Sequence, residues 1–182
     1  MKSVFRFDER KGLEVLLYLV ENISERSSNK QADLYNVLKC AFYAEKTHLG
    51  KYGRMIYGDC YIAMDYGPVP SSLYDMVKIS RGDGRSSVFS DIDPKEALRV
   101  SKHSLKAKRN FNDRFLSESD KECLDEAIEN YGLITFGELR NISHLDTSYQ
   151  ATCLNEPITE EEFISGLSNG EEVLEYLQSR PI

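Results

Sequence analysis

The stretch 52–74 constrains this chain more than any other: three Gly, two Pro and five Tyr crowd around one short apolar run. Gly opens backbone angles that other residues avoid, whereas Pro fixes φ and removes an N–H donor. A segment punctuated this densely can follow few backbone paths. Within it Cys60, Ile62, Met64 and Tyr66 alternate with Tyr61, Ala63 and Asp65, the period of two that belongs to a strand. The expected form is a short hairpin, 54–57 against 60–66 across Gly58-Asp59, although 60–64 also suits a helix start. Gly67-Pro68-Val69-Pro70 then breaks the run, and Pro70 fits the first turn of a helix over about 70–79.

Helical spacing governs most of the rest. Leu13, Leu16, Leu17, Val20 and Ile23 predict a helix over 8–24. Leu34, Val37, Leu38, Ala41, Phe42 and Leu49 predict a second, expected to stop at Gly50 in a left-handed cap. After a Gly-rich turn at 81–85, residues 98–101 and 105–108 suggest a small basic hairpin. Ser117 with Asp120 opens a helix along Leu124, Ala127, Ile128 and Tyr131. Thr135 with Glu138 forms a capping box for a helix ending near His144, and Thr159 with Glu162 repeats the pattern. Asn169 is placed to cap a last helix through Leu177. The expected fold is α+β and mainly helical, a single compact domain with one or two small β-hairpins. Its core is expected at 1–155, with 156–182 an acidic helical extension packed on the same domain.

Apolar residues at 41% and charged ones at 29% describe an ordinary folded chain. The best apolar run, 15–20, is far short of the roughly 18 residues that span a bilayer, and the N-terminus has no apolar signal core. A cytoplasmic location is expected. Cys40, Cys60, Cys123 and Cys153 are scattered without metal-type spacing and are expected as reduced, buried, small hydrophobes. The net charge of −7 is unevenly spread. Arg99, Lys102, Lys106, Lys108, Arg109 and Arg114 lie in one stretch, while 141–179 holds no Lys or Arg and many Glu. Two solvated faces are the simpler explanation; a charged partner is the other.

The order of landmarks is more specific. Leu38-Lys39 and Phe42-Tyr43 lead to Tyr52-Gly53-Arg54, then Gly58-Asp59, Ala63-Met64, Tyr66-Gly67-Pro68-Val69-Pro70 and Tyr74. Leu116-Ser117-Glu118-Ser119-Asp120, Tyr131-Gly132 and Ser143-His144 follow. This series, spanning about 7–152, resembles the Panacea domain of the SocA-like antitoxins, the YGR and YGPVP elements being its most specific part. The family often has a Trp shortly after its His, where this chain has Tyr149. The resemblance implies an antitoxin that neutralises a partner toxin by direct contact, encoded beside it in a toxin–antitoxin, phage-defence, prophage or mobile-element setting. It also implies that some members present the toxin to a protease. A family that pairs with unrelated toxins is expected to vary its contact residues, so the matched motifs are expected to serve the fold.

Candidate sites divide accordingly. Tyr buries a large area at low entropic cost and keeps a polar tip. Tyr52, Arg54, Tyr57, Asp59, Tyr61, Tyr66, Pro68 and Tyr74 therefore form the partner-binding set. The competing explanation for the charged members is that they tie the turn together. Arg99, Lys102, Lys106, Lys108 and Arg109 are the candidates for nucleic-acid contact, a secondary role given the net charge. Gly53, Gly67, Pro70 and His144 are expected to be structural. His48 is expected as a cation at a helix C-terminus and His103 as a solvent-exposed side chain. No catalytic constellation, metal site or cofactor is expected: Gly82-Asp83-Gly84-Arg85 lacks the Lys and helix of a phosphate loop, and neither Cys60 nor Cys153 sits in a nucleophile motif. An enzyme is the least favoured alternative, behind a nucleic-acid-binding regulator or a protease adaptor.

Overall fold

A computed structural model of the chain describes residues 3–83 and 88–179. Helix α1 (Glu9–Arg26) starts where Asp8 accepts from the Lys11 N–H at 3.0 Å. Two residues of strand, β1 (Ala32–Asp33), lead into α2 (Leu34–Tyr52), whose N-terminus is capped by the Asp33 carboxylate. Helix α2 passes through Gly50 and ends at Gly53, which holds φ 62° and donates to the Leu49 carbonyl. The expected stop at Gly50 is thus three residues early. Both glycines suit a helix end; at Gly53 the left-handed φ and the Tyr176 ring, which an ideal Cβ would meet, leave room for glycine alone.

Residues 54–60 form no strand, and the hairpin lies later than expected. Strand β2 (Tyr61–Met64) pairs antiparallel with β3 (Gly67–Pro70) across Asp65-Tyr66, in register Tyr61 with Pro70 and Met64 with Gly67. The GPVP run is therefore a strand, not a breaker. It tolerates two prolines because it is an edge strand hydrogen-bonded only to β2. Helix α3 (Ser71–Arg81) follows at once. Its C-terminus is capped by Gly82 at φ 99°; the expected turn at 81–85 otherwise runs beyond the described residues. A short helix, α4 (Pro94–Ala97), precedes the second hairpin, β4 (Leu98–Ser101) and β5 (Ser104–Ala107), which β1 completes in the order β1-β5-β4.

Helix α5 (Glu118–Tyr131) and α6 (Phe136–His144) both begin with reciprocal capping boxes, Ser117/Asp120 and Thr135/Glu138. Then come α7 (Thr147–Ala151), β6 (Pro157–Ile158), α8 (Glu160–Ser165) with the third box, and α9 (Gly170–Ser179). Asn169 stands before α9 with its side-chain amide donated to the Gly50 carbonyl at 3.0 Å. The architecture is α+β, helical with two three-stranded antiparallel sheets. Among the described residues no helix is long and apolar enough to cross a membrane.

Helix α2 lies between two apolar clusters. Val37, Leu38 and Ala41 face α1, α3 and α5 through residues such as Leu16, Leu73 and Leu124. Phe42 and Leu49 face the other way, under Tyr61, Phe163, Val173 and Leu177. A helix buried on both sides has no solvent face for its polar residues, so Lys39, Glu45, Lys46 and His48 are all buried. Each must then find a partner inside.

Candidate partner-binding surface

Those four side chains fix the motif-bearing segment. The Glu45 carboxylate accepts the backbone N–H groups of Ile56, Tyr57 and Gly58, at 2.5, 3.0 and 2.8 Å. Burial outweighs these three donors and pushes the Glu45 carboxyl up to about 7. Lys39 donates to the Pro68 carbonyl at 2.6 Å and lies over the Tyr35 ring; burial pulls it down to about 7. Lys46 pairs with Asp146 at 2.7 Å. His48 donates from Nδ1 to the Arg54 carbonyl at 2.8 Å, and its Nε2 meets the Ser119 hydroxyl at 3.1 Å. His48 is fully buried, with Nε2 also 3.3 Å from Asp120 Oδ1, and burial lowers its pKa, against the helix-end cation expected of it.

The tripeptide Tyr52-Gly53-Arg54 docks on the start of α5. Arg54 donates to Asp120 at 3.0 Å and to Ser117 and Ser119 at 3.1 Å. Lys11 reaches the other Asp120 oxygen at 2.7 Å. Burial opposes the Asp120 charge, but Lys11 and the Ser117 N–H outweigh it and hold the carboxyl below its usual range. Tyr52 rests against the His48 ring and donates to Glu122 at 2.7 Å. Asp59 serves as a remote cap: Pro70 offers α3 no side chain, so Asp59 accepts from the N–H groups of Ser72 and Leu73 at 3.0 Å.

Tyr66-Gly67-Pro68-Val69-Pro70 is held from α6. His144 hydrogen-bonds the Asp65 carbonyl at 3.0 Å and stacks on Tyr149, which donates to the Met64 carbonyl. At Gly67, φ is 95° and an ideal Cβ would lie 2.7 Å from the Ser143 Cβ. Only glycine fits between Ser143 and Lys39 there.

The structure therefore divides the partner-binding set. Tyr57, Asp59 and Tyr61 are fully buried, Pro68 is buried and Arg54 is half-buried, so these residues build the turn; Tyr57 and Tyr61 have no surface to offer a partner. Tyr52, Tyr66 and Tyr74 reach solvent to different degrees. Two of them meet residues that the sequence pattern did not single out. Tyr66, 54% exposed, packs edge-on against Phe136 at 5.3 Å, and Phe136, 49% exposed, lies 4.6 Å from Tyr35. With Tyr74 they line a cleft of about 650 Å³ floored by Leu38 and Val69. No sequence signal marks Phe136, which simply follows a cap residue; Tyr35 stands between two core positions of a helix.

In the basic stretch, Arg99 and Lys106 are direct cross-strand partners on β4 and β5 and both are exposed, as is Lys102 at the turn. Lys108 donates to the Lys95 carbonyl, and Arg109 grips the buried Glu14 carboxylate through both nitrogens, at 2.6 and 3.0 Å. Arg109 is thus committed to the fold. His103 is exposed. Cys60 and Cys153 are exposed as well, against the expectation that all four cysteines are buried. Among the described residues no group of three or more His, Cys, Asp or Glu is arranged to hold a metal.

The family model described as "Antitoxin SocA-like, Panacea domain" matches residues 37–149, from the first turn of α2 to Tyr149. The chain belongs to this family. No curated protein and no solved structure matches it. The match excludes β6, α8 and α9, yet these complete the second apolar cluster of this Panacea-domain protein: Phe163 stacks on Tyr61 at 5.0 Å, and Tyr176 covers Gly53.

Proposed function

We propose that this protein is an antitoxin that neutralises a toxin protein by direct contact in the cytoplasm, the toxin being encoded beside it. Membership of the SocA-like family supports an antitoxin-type, non-catalytic role. The observation that carries the contact reading is the half-exposed aromatic group of Tyr66 and Phe136 over an apolar floor, on a hairpin fixed from beneath by Lys39 and His144. Large aromatic side chains that stay partly solvent-exposed on a rigid support are what a protein interface uses as anchors. Co-expression tests the reading. The adjacent gene's product alone is expected to arrest growth, and this protein is expected to restore it while co-purifying with that product in fixed ratio. A harmless neighbour that does not co-purify overturns it.

A second reading, nucleic-acid contact by an autoregulating antitoxin, is favoured by the facing Arg99 and Lys106, which make no ion pair among the described residues. It requires duplex binding that weakens steeply between low and physiological salt. Presentation of the captured toxin to a protease is compatible with the first reading and needs the same contact.

A further inference from the structure

Resting on the antitoxin reading, we propose that the aromatic cleft takes an extended partner segment carrying one large apolar side chain flanked by Arg or Lys. The apolar half of the argument is the cleft itself. Tyr35, Tyr66, Tyr74 and Phe136 surround Leu38 and Val69 in a volume of about 650 Å³, within the range of about 300–1,000 Å³ typical of ligand clefts. The Tyr35 ring is preorganised, its hydroxyl donating to the Tyr66 backbone carbonyl at 2.7 Å and lying 3.3 Å from the Ser143 hydroxyl, and Phe136 packs on both Tyr35 and Tyr66. Little side-chain freedom remains to be lost on binding.

The charged half is complementarity. The cleft lining includes Asp33 and Asp65 and no Lys or Arg. Asp33 uses one oxygen to cap α2; among the described residues the Asp65 carboxylate accepts no hydrogen bond and neither makes an ion pair. Among the nearby cations, Lys102 lies on the adjoining polar cavity and not in the aromatic cleft. Lys39 is buried on the Pro68 carbonyl and Lys78 is paired with Asp75, while Arg140 stands against the Tyr66 ring at 6.0 Å. A net charge of −7 on the whole chain points the same way.

The extended form follows from a neighbouring cleft. A polar cavity of about 500 Å³ shares Asp33, Asn36 and His103 with the aromatic one and continues past Gln31, Ser101 and Ser104. A segment anchored by its apolar side chain has amide and hydroxyl groups to meet its backbone along that continuation.

Titration of the isotope-labelled full chain by NMR tests the chemistry with three probes: the capped peptides Gly-Arg-Leu-Arg-Gly, Gly-Glu-Leu-Glu-Gly and Gly-Arg-Gly-Arg-Gly. The first is expected to shift the ring resonances of Tyr35, Tyr66 and Phe136 saturably, and at least tenfold more tightly than the other two. Phe136→Ala is expected to weaken it tenfold or more, and Asp65→Asn two- to fivefold, with both variants melting within a few degrees of the parent. Equal binding of the Arg and Glu peptides, or saturable shifts confined to other surfaces, overturns the proposal. Co-expression separates this from the antitoxin reading. If the parent rescues growth and Phe136→Ala rescues equally, the cleft is wrong and the antitoxin reading stands. If the parent does not rescue but the peptides still discriminate, the antitoxin reading falls and the chemistry of the cleft stands.

Discussion

The β2–β3 hairpin belongs to two regions that use their residues in opposite ways. At its base, and in the 54–60 path leading to it, buried polar side chains hold the backbone: Glu45 takes three backbone N–H groups, Asp59 caps α3, and Lys39 holds Pro68. At its tip, Tyr66 and the Asp65 carboxylate face outward beside Phe136. The recognisable motif is mostly consumed in fixing the backbone, and under the proposed function partner contact is left to side chains outside that role. A rigid base also explains how exposed aromatic rings can keep one geometry without being buried. The contrast is sharp enough to be broken by substitution.

The largest effect is expected at the base. Glu45→Ala leaves three buried backbone donors without an acceptor, each costing about 1–3 kcal/mol. The expected loss is about 4 kcal/mol or more, a large share of the ~5–15 kcal/mol that holds a domain folded. Denaturant unfolding measures it, and a loss under about 1 kcal/mol would show that the 56–58 turn does not depend on α2. Gly67→Ala follows, because φ 95° strains any side chain and its Cβ meets Ser143. Strain and overpacking together suggest roughly 2–4 kcal/mol. Any peptide binding at the cleft is expected to weaken with it, since the hairpin tip must shift; unchanged binding in a destabilised variant would separate tip from base.

Titration sharpens the same contrast from inside the base. Glu45 is raised from 4.5 to about 7, so its contribution is fully present below pH 4.5 and is lost as pH rises towards 7. Lys39 is lowered from 10.5 to about 7, so its contribution is fully present above pH 10.5 and is lost as pH falls towards 7. Together they place a stability minimum near pH 7, with limbs of up to about 1.4 kcal/mol per pH unit. Lys39→Met is expected to flatten the alkaline limb and Glu45→Gln the acid one, as read from unfolding midpoints across pH 5–10. Parallel profiles for parent and variants would assign the buried charges no such role.

Legibility in the sequence follows the range of each interaction. The capping boxes at Thr135/Glu138 and Thr159/Glu162 close within four residues, and both helices start where the sequence places them. The β4–β5 hairpin is equally local. The 54–60 path was not legible, because its hydrogen bonds go to Glu45, Asp120 and Ser119 on two distant helices. The same holds for the need for glycine at 53, where the ring that fills the Cβ space is Tyr176 from the far end of the chain. Among site residues, Tyr66 and Tyr74 could be picked from their clustering. Tyr35 and Phe136 could not, since only folding brings α2 and α6 to the hairpin tip. Helix α2 reads in the sequence as having one apolar face, so the burial of Lys39, Glu45, Lys46 and His48 follows from the second cluster, which the 156–179 segment completes.

The smallest effect is expected at Arg99 and Lys106, which lie outside the cleft lining, and it tests whether a second surface serves a second partner. Arg99 and Lys106 face each other across β4 and β5 without a counter-charge, an arrangement that is mildly destabilising in itself. Lys106→Glu replaces like charges with an opposite pair, so stability is expected to change by no more than about 0.5 kcal/mol, and upward. If the face touches phosphates, the same change removes at least one contact and lowers the steepness of the salt dependence of duplex binding by about one. Peptide binding at the cleft is expected to be unaffected, because neither Arg99 nor Lys106 lines it. A duplex affinity that Lys106→Glu leaves untouched would remove the sheet face from function altogether. Loss of cleft binding instead would show that the two regions are coupled through β1, whose Asp33 lines the cleft while pairing with Ser104 of β5.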